Sequence, residues 1–371
     1  MDMYDAKQLY DRLKVSERED GILDLDARLR AMNGPLLAWY EEHARILPWR
    51  ENPEGYRVWI SEIMLQQTRV EAVKPYFERF LEALPDVASL ASVEDDRLMK
   101  LWEGLGYYNR ARNLKKAAGV IMEEYGGKMP EQYEELLKLP GIGSYTAGAV
   151  SSIAFGHPVP AVDGNVLRVI SRVTASREDI LKASTKKWME THLRETMPKN
   201  RASHFNQGLI EIGAIVCVPN GQPHCAECPL ESICLAKRQK LIGEIPVKTP
   251  PKKRRLEDKT VCILECGSRV GLNKRADSGL LASLYELPNR EGHLAPEEVP
   301  EAFGLDPGEI MELEPIGPAK HVFSHVEWHM TGYRVRLRHE IPKSYIAAAK
   351  EELKTIYALP NAFGRYTKMI E

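Results

Sequence analysis

Apolar residues recur at helical spacing through most of the first two thirds of the chain and turn to strand-like alternation near its end. From Val58 to Leu84, Trp59, Ile60, Ile63, Met64, Val70, Val73, Tyr76, Phe77, Phe80 and Leu81 follow helical intervals, which predicts two helices meeting near Gln67-Thr68. Upstream, Leu36, Leu37, Trp39 and Tyr40 lead into Leu47-Pro48-Trp49-Arg50, where the proline ends a helix and Trp49-Arg50 begins a loop. In Leu139-Pro140-Gly141-Ile142-Gly143-Ser144, two glycines flank one apolar residue just before another helical run. That predicts a tight turn at positive φ, followed by a helix N-terminus whose free N-H groups suit a phosphate. Some twenty residues on, Asp163 takes the N-cap position before Asn165-Val166-Leu167-Arg168-Val169-Ile170, a place that favours a charged carboxylate. Beyond Ala236 the pattern shifts. Thr260–Leu264 and Tyr333–Arg338 read as strands and Ala347–Tyr357 as a helix, an α+β arrangement.

Composition then sets the organisation. A chain of 371 residues, 43% hydrophobic, buries ample core and is expected to form two or three domains. It has no run of eighteen apolar residues, and its first residues lack the basic-then-apolar pattern of a signal peptide. No membrane partner is expected, and the location expected is cytoplasmic, nucleoid-associated if the source is bacterial. A net charge of -2 does not advertise a nucleic-acid binder, so any such surface has to be local. Residues 237–259 supply one, with nine Lys/Arg against three Asp/Glu. With Pro246, Pro250 and Pro251 they read as an extended basic interdomain linker, either lying over DNA phosphates or simply solvated. Residues 1–30 read as a solvated or partner-docked helical extension. The expected division is therefore 1–30, a helical domain over 31–236, the linker, and an α+β domain over 260–371.

Several residue groups carry candidate chemistry. Glu62 is an acid set among Trp59, Ile60, Ile63 and Met64. It is either an exposed or paired helix carboxylate, or a buried one whose raised pKa suits a general acid near neutral pH. In Glu103-Gly104-Leu105-Gly106-Tyr107-Tyr108-Asn109-Arg110-Ala111-Arg112, Leu105 and Tyr107 could wedge between bases with Arg110 and Arg112 on phosphates. Alternatively, the tyrosines pack on the core. Cys217-x7-Cys225-x2-Cys228-x5-Cys234 places four of the six cysteines within eighteen residues. Without a secretory signal this favours a metal or iron-sulfur site over disulfides. One wide gap, one x2 and one x5 look like a loop around a 4Fe-4S cluster, with zinc and unliganded packing as the alternatives. Cys262 and Cys266 read as ordinary free cysteines on strands.

Together these residues resemble a known family. Leu139-Pro-Gly-Ile-Gly143 with Asp163 resembles the helix-hairpin-helix DNA glycosylase superfamily, and the cysteine loop is similar to that of its endonuclease III branch. Ser61-Glu62-Ile63-Met64-Leu65-Gln66-Gln67-Thr68, Trp102-Glu-Gly-Leu-Gly-Tyr-Tyr108 and Val162-Asp-Gly-Asn165 resemble the adenine DNA glycosylases of the MutY family, over about residues 31 to 371. The resemblance implies an all-α helix-hairpin-helix domain with a 4Fe-4S loop and a C-terminal Nudix-like recognition domain. The implied substrate is double-stranded DNA with adenine opposite 8-oxoguanine or guanine, and a monomer is expected. Glu62 would protonate adenine N7, with Asp163 facing the sugar. Tyr145 and Asn165 would orient these carboxylates, and Arg45, Trp49, Arg50 and Glu211 would shape the adenine pocket. Gln67, Thr68, Leu105 and Tyr107 would hold the mispair open, and Gly141 and Gly143 would meet a phosphate. Gly279–Pro288 and Val322–Trp328 resemble the family's C-terminal domain, in which Phe323-Ser324-His325 would detect 8-oxoguanine.

Bifunctional relatives carry a lysine at the position of Tyr145, whose amine forms a Schiff base. Its absence predicts a glycosylase with little or no lyase activity. The glutamates Glu297, Glu298 and Glu301 are too scattered for a second, magnesium-dependent hydrolase site. Three departures stand out: the first cysteine gap is x7 where the bacterial family usually has x6, the segment between Leu264 and Lys274 is short, and residues 1–30 lack a recognised counterpart. The competing readings are a thymine-mismatch glycosylase, which shares the Tyr145 pattern and the cluster, and a non-catalytic iron-sulfur DNA sensor.

Overall fold

The computed structural model describes residues 24–250 and 253–370. The chain divides into two compact units, one of residues 1–92 and 113–250 and the other of residues 93–112 and 251–371. In chain order the helices are α1 (Leu25–Ala31), α2 (Asn33–His43), α3 (Pro48–Glu51), α4 (Gly55–Leu65), α5 (Val70–Ala83), α6 (Val87–Ser92), α7 (Asp95–Trp102) and α8 (Asn109–Glu124). They continue with α9 (Tyr133–Leu136), α10 (Ser144–Ile153), α11 (Gly164–Thr174), α12 (Ala183–Thr196), α13 (Ala202–Glu211) and α14 (Leu235–Arg238). None of the described helices is long and apolar enough to cross a membrane.

Among the described residues the first unit is built of helices, with one isolated β-bridge between Asp179 and Val247, and its core shows why. Leu29, Met32 and Leu36 from α1 and α2 meet Val166, Val169 and Ile170 of α11, Met189 and Leu193 of α12, and Phe205 and Leu209 of α13. Each buried side chain of this size contributes roughly 1.5–3 kcal/mol. The two helices expected between Val58 and Leu84 are α4 and α5, broken at Gln67, which takes a left-handed φ of 59°. The extension expected over residues 1–30 lies outside the described residues up to 23. Its last part, however, is α1, which belongs to the core. Asp24 caps it by accepting from Ala27 N at 2.8 Å, Leu29 is 1% exposed, and Arg28 donates to the Ile233 carbonyl at 2.6 Å. The helix was expected, but loose leucine spacing concealed that it buries Ala27, Arg28, Leu29 and Ala31.

The expected linker is not extended over its length. Its first part folds onto the first unit, with Arg172 Nε donating to Ile245 O at 2.8 Å, Ile180 N to Val247 O at 3.1 Å, and Thr249 bonded to Asp179. Its last residues already form a strand, β1 (Arg255–Cys266). Proline and lysine content marked the segment as polar but could not register these long-range partners.

The second unit is built on a mixed eight-stranded sheet of β1, β2 (Arg269–Lys274), β3 (Tyr285–Glu286), β4 (Asn289–Glu291), β5 (Ile310–Pro315), β6 (Ala319–Val322), β7 (Val326–Leu337) and β8 (Ile346–Ala349). The order β3-β2-β1-β7-β5 has β1 and β7 parallel from Arg255↔Val326 to Glu265↔Arg336, and the other pairs antiparallel. Alternation along β1 feeds two cores: Val261 and Ile263 join one with Trp328 and Phe363, Cys262 and Leu264 the other with Phe303 and Val335. The helix expected over Ala347–Tyr357 begins instead as β8, paired with β2, and only Glu352–Thr355 is helical. A free sheet edge outweighed the helix propensity of three alanines.

Candidate active site

The turn before α10 works as its glycines require. Gly141 adopts φ 76°, and a Cβ there would lie 2.6 Å from Asn113 Cβ, so only glycine fits. Gly143 is the extended N-cap of α10 with open space where a Cβ would point. The N-H groups of the next turn are therefore approachable. Ile142 between them is 6% exposed and anchors the turn.

α10 carries Tyr145 to Glu62 on α4. The Tyr145 hydroxyl donates to Glu62 Oε2 at 2.6 Å, and Glu62 is only 6% exposed, so the exposed-carboxylate alternative is excluded. Burial pushes the Glu62 carboxyl up to about 7, the Tyr145 hydrogen bond opposes this, and the charge of Asp163 adds to it. Burial and the two carboxylates hold the Tyr145 hydroxyl far above its ordinary range, so it remains a neutral donor.

Asp163 caps α11 as the sequence predicted. Its Oδ1 accepts from Asn165 N at 2.9 Å and Val166 N at 2.8 Å, and its Oδ2 from Asn165 Nδ2 at 2.7 Å. Burial raises its pKa, while these three donors and the Arg168 guanidinium pull it back. The sequence reading expected the cap to dominate, but desolvation is the larger influence. Even so, Asp163 has three donors where Glu62 has one, and these favour its anionic form. Arg168, not singled out from sequence, fixes Asn165 from behind. It donates to Asn165 Oδ1 at 2.8 Å, Gly213 O at 2.7 Å and Cys217 O at 2.7 Å. Gly213 permits this close packing, since a Cβ there would lie 2.5 Å from Asn165 Cβ.

Both carboxyls line one cavity of about 590 Å³, with Arg45, Trp49, Arg50, Gln67, Thr68, Gly143, Tyr145, Asn165 and Glu211 also in its wall. Glu211, fully buried, accepts from Arg45 Nε at 2.6 Å and Arg50 Nη2 at 2.7 Å, and also from Arg45 N at 3.1 Å. Burial alone would raise this acid, but the two guanidiniums hold it down at about 2. Thr146, Lys186 and Gln207 also stand in the wall and were not singled out from sequence, and Gln66 entered only as part of the Ser61–Thr68 motif. Lys186 and Gln207 are ordinary polar helix residues with no local pattern around them.

Leu105, Tyr107, Phe323, Ser324 and His325 lie in the second unit. Tyr107 is 48% exposed at φ 47°, and its hydroxyl lies 3.0 Å from Ser324 Oγ. Leu105 is only 6% exposed, so it sits packed rather than presented. Arg110, expected on a phosphate, instead organises the loop: it donates to Leu105 O at 3.1 Å and Gly106 O at 3.0 Å and stacks on Trp102. Phe323 packs edge-on against Trp328 with centroids 4.9 Å apart. The tight turn from Phe323 to Val326 leaves Ser324 and His325 exposed.

Cys217, Cys225, Cys228 and Cys234 are free thiols that line one small cavity together with Arg172. Burial, followed by the neighbouring sulfurs, raises the Cys228 thiol to about 12. The Arg172 guanidinium donates to Cys217 Sγ at 3.2 Å. Four converging soft donors beside the cations Arg172 and Lys237 suit an anionic, thiolate-bound iron-sulfur centre.

Residues 60–199 match the family described as HhH-GPD superfamily base excision DNA repair protein, and residues 260–369 match the NUDIX domain. The chain is 33% identical over 376 residues to the adenine DNA glycosylase of Homo sapiens, covering 85% of this chain and 69% of that one. Among solved structures it resembles a thermostable thymine-DNA glycosylase (TM-score 0.52, 28% identity, 57% of this chain and 97% of that one). It also resembles a non-covalent endonuclease III–DNA complex (TM-score 0.50, 27% identity, 58% and 98%).

Proposed function

The chain belongs to the adenine DNA glycosylase family, and from that premise we propose that it excises adenine mispaired with 8-oxoguanine, or with guanine, from duplex DNA without cutting the strand. The observation that carries this reading is the pair of carboxyls in one cavity, Glu62 raised to about 7 and Asp163 held by three donors.

Neutral adenine is a poor leaving group, so the reaction needs an acid on the base and an anion near the sugar. Once adenine has been turned out of the stack into the cavity, protonated Glu62 gives its proton to N7. The C1′–N9 bond breaks, its electrons leave with the base, and positive charge spreads over C1′ and the ring oxygen. Asp163 stabilises that charge or bonds transiently to C1′. Glu62, now a carboxylate, takes a proton from the water that adds at C1′. Tyr145 holds Glu62 in place through the 2.6 Å hydrogen bond and, having no amine, cannot form the Schiff base that strand cleavage requires. The four cysteines would hold a 4Fe-4S cluster, which when bound staples the segment from Cys217 to Cys234 against α11.

For mispair recognition the first unit offers Gln67 and Thr68 at the α4–α5 break, and the second unit offers Tyr107 and the Phe323-Ser324-His325 turn, of which Gln67, Tyr107, Ser324 and His325 are exposed. Ser324 Oγ can hydrogen-bond the oxidised base, and Phe323 can pack beside it.

Single-turnover assays on duplexes carrying adenine opposite 8-oxoguanine, adenine opposite guanine and thymine opposite guanine test the proposal. Strand breaks should require alkali, occur only with adenine, and form fastest opposite 8-oxoguanine. Changing Ser324 and His325 together to alanine should reduce that preference about tenfold, the scale of one lost polar contact. Alkali-independent breaks would restore the lyase alternative. Thymine release would move the chain to the mismatch branch, and binding without excision would leave a sensor.

A further inference from the structure

Three cations stand in the wall of the carboxyl cavity: Arg45, Arg50 and Lys186. Both arginines are bonded to Glu211. Lys186, in the first turn of α12, is differently placed. Among the described residues its ion-pair partner is Glu190, one turn along the same helix and 3.7 Å away, beyond hydrogen-bond range. Glu190 itself lies outside the cavity wall. The three acids of the wall have other partners: Glu62 is bonded to Tyr145, Asp163 to Asn165 and the α11 N-terminus, and Glu211 to the arginines. Lys186 is thus the wall's one loosely held positive charge among the described residues.

The size of the cavity indicates what that charge is for. At about 590 Å³ it far exceeds a purine base and leaves room for the attached sugar. An extruded nucleotide stays joined to its strand by a phosphodiester on each side, so phosphate oxygens necessarily come to the mouth. The N-terminus of α10 at Gly143-Ser144 offers N-H groups to one of them. Lys186, on a different helix, offers a compact, mobile ammonium.

We propose that Lys186 binds a phosphodiester flanking the extruded nucleotide, moving off Glu190 to do so. This rests on reading the cavity as a nucleotide site. Leaving Glu190 gives up one partly buried i,i+4 contact at 3.7 Å and takes the cation from Glu190 Oε1, which is buried and has no hydrogen-bond partner, so the phosphodiester contact has to exceed that cost. No wall acid competes for the ammonium.

The test is equilibrium binding of the full chain to two duplexes of one sequence, one fully paired and one carrying an uncleavable tetrahydrofuran abasic site opposite guanine. Each is titrated between about 50 and 200 mM salt. K186A should bind the abasic-site duplex about tenfold more weakly, with a log–log salt slope shallower by about 0.9, one phosphate contact. The loss on the paired duplex should be smaller. K186R should recover most of the affinity, and E190Q, which releases the lysine, should bind more tightly than wild type. Equal weakening on both duplexes would place Lys186 on the general flank of the DNA, and an unchanged slope would take it off the DNA. Either result overturns the assignment. Wild-type protein that does not prefer the abasic-site duplex would instead overturn the nucleotide reading of the cavity, and the role of Lys186 with it.

Discussion

Two walls of one cavity each bury a glutamate, and the same side chain behaves oppositely in the two. At the end of α13, Glu211 meets two guanidiniums and is held near 2. On α4, Glu62 meets a tyrosine hydroxyl and a second carboxylate and is pushed to about 7. Both are withdrawn from water. What separates them is the number of full charges among their partners: two cations outweigh desolvation, whereas one neutral hydrogen bond does not. The ion cluster makes a rigid, permanently charged wall, and the tyrosine pair leaves an acid able to gain or lose its proton near neutral pH.

The largest effect that could break this contrast is on catalysis. Glu62→Gln should lower single-turnover adenine excision by about 10³-fold or more, within the range for a general acid, while DNA binding persists. Asp163→Asn should do the same by removing the anion facing the sugar. Excision that survives either change would contradict the proposed mechanism. The next effect falls on the other glutamate. Glu211→Gln sets two guanidiniums against a neutral amide and should cost about 3 kcal/mol of unfolding free energy, read by denaturant titration. A loss below about 1 kcal/mol would mean that the arginines do not need the charge.

The pH dependence of stability sharpens the comparison, because the two acids act with opposite sign. The folded pKa of Glu211 lies below the unfolded value of about 4.3. Its stabilising contribution is therefore present above that pH and is lost as pH falls toward 2. The folded pKa of Glu62 lies above the unfolded value, so the native state holds its proton longer and stability declines as pH rises from about 4.3 to about 7. Glu62→Gln should remove that decline and stabilise the protein by roughly 1–3 kcal/mol at pH 8. A variant inactive yet more stable in alkali is the expected signature. The smallest effect is expected from Tyr145→Phe. Its hydroxyl opposes the rise of the Glu62 pKa, so the alkaline limb of the excision profile should move to higher pH. The rate itself should fall about tenfold as orientation is lost. A limb moving to lower pH would reverse the assigned sign.

What could be read from sequence was local. The turn at Gly141, the cap at Asp163 and the apolar setting of Glu62 each lie within one turn of the residues that create them. The Glu211 cluster joins residues 161 and 166 positions apart, so the resemblance could place its members in the pocket but no pattern foretold that they bind one another. Arg168 and Lys186 look like any helix cation until the fold shows what each faces. For Arg110 the sequence left both a phosphate contact and a packed loop open, because a basic residue after a glycine turn suits either, and its bonds to Leu105 O and Gly106 O make it a loop brace. At β8, Ala347–Ala349 shows tertiary pairing overriding propensity. The apolar run of Thr260–Leu264 and the alternation of Tyr333–Arg338 made part of β1 and of β7 legible, while their first halves, residues 255–259 and 326–332, were not.

The central claim is that Glu62 is an acid poised near neutrality. Carbon-13 NMR of protein labelled at the glutamate side-chain carboxyl carbon tests this directly, with Glu62→Gln identifying the resonance by its loss. A Glu62 signal titrating with a midpoint near 7 is the predicted result. A midpoint near the ordinary glutamate value of about 4.3 would contradict the account, because the group would then be a carboxylate at neutral pH with no proton to give.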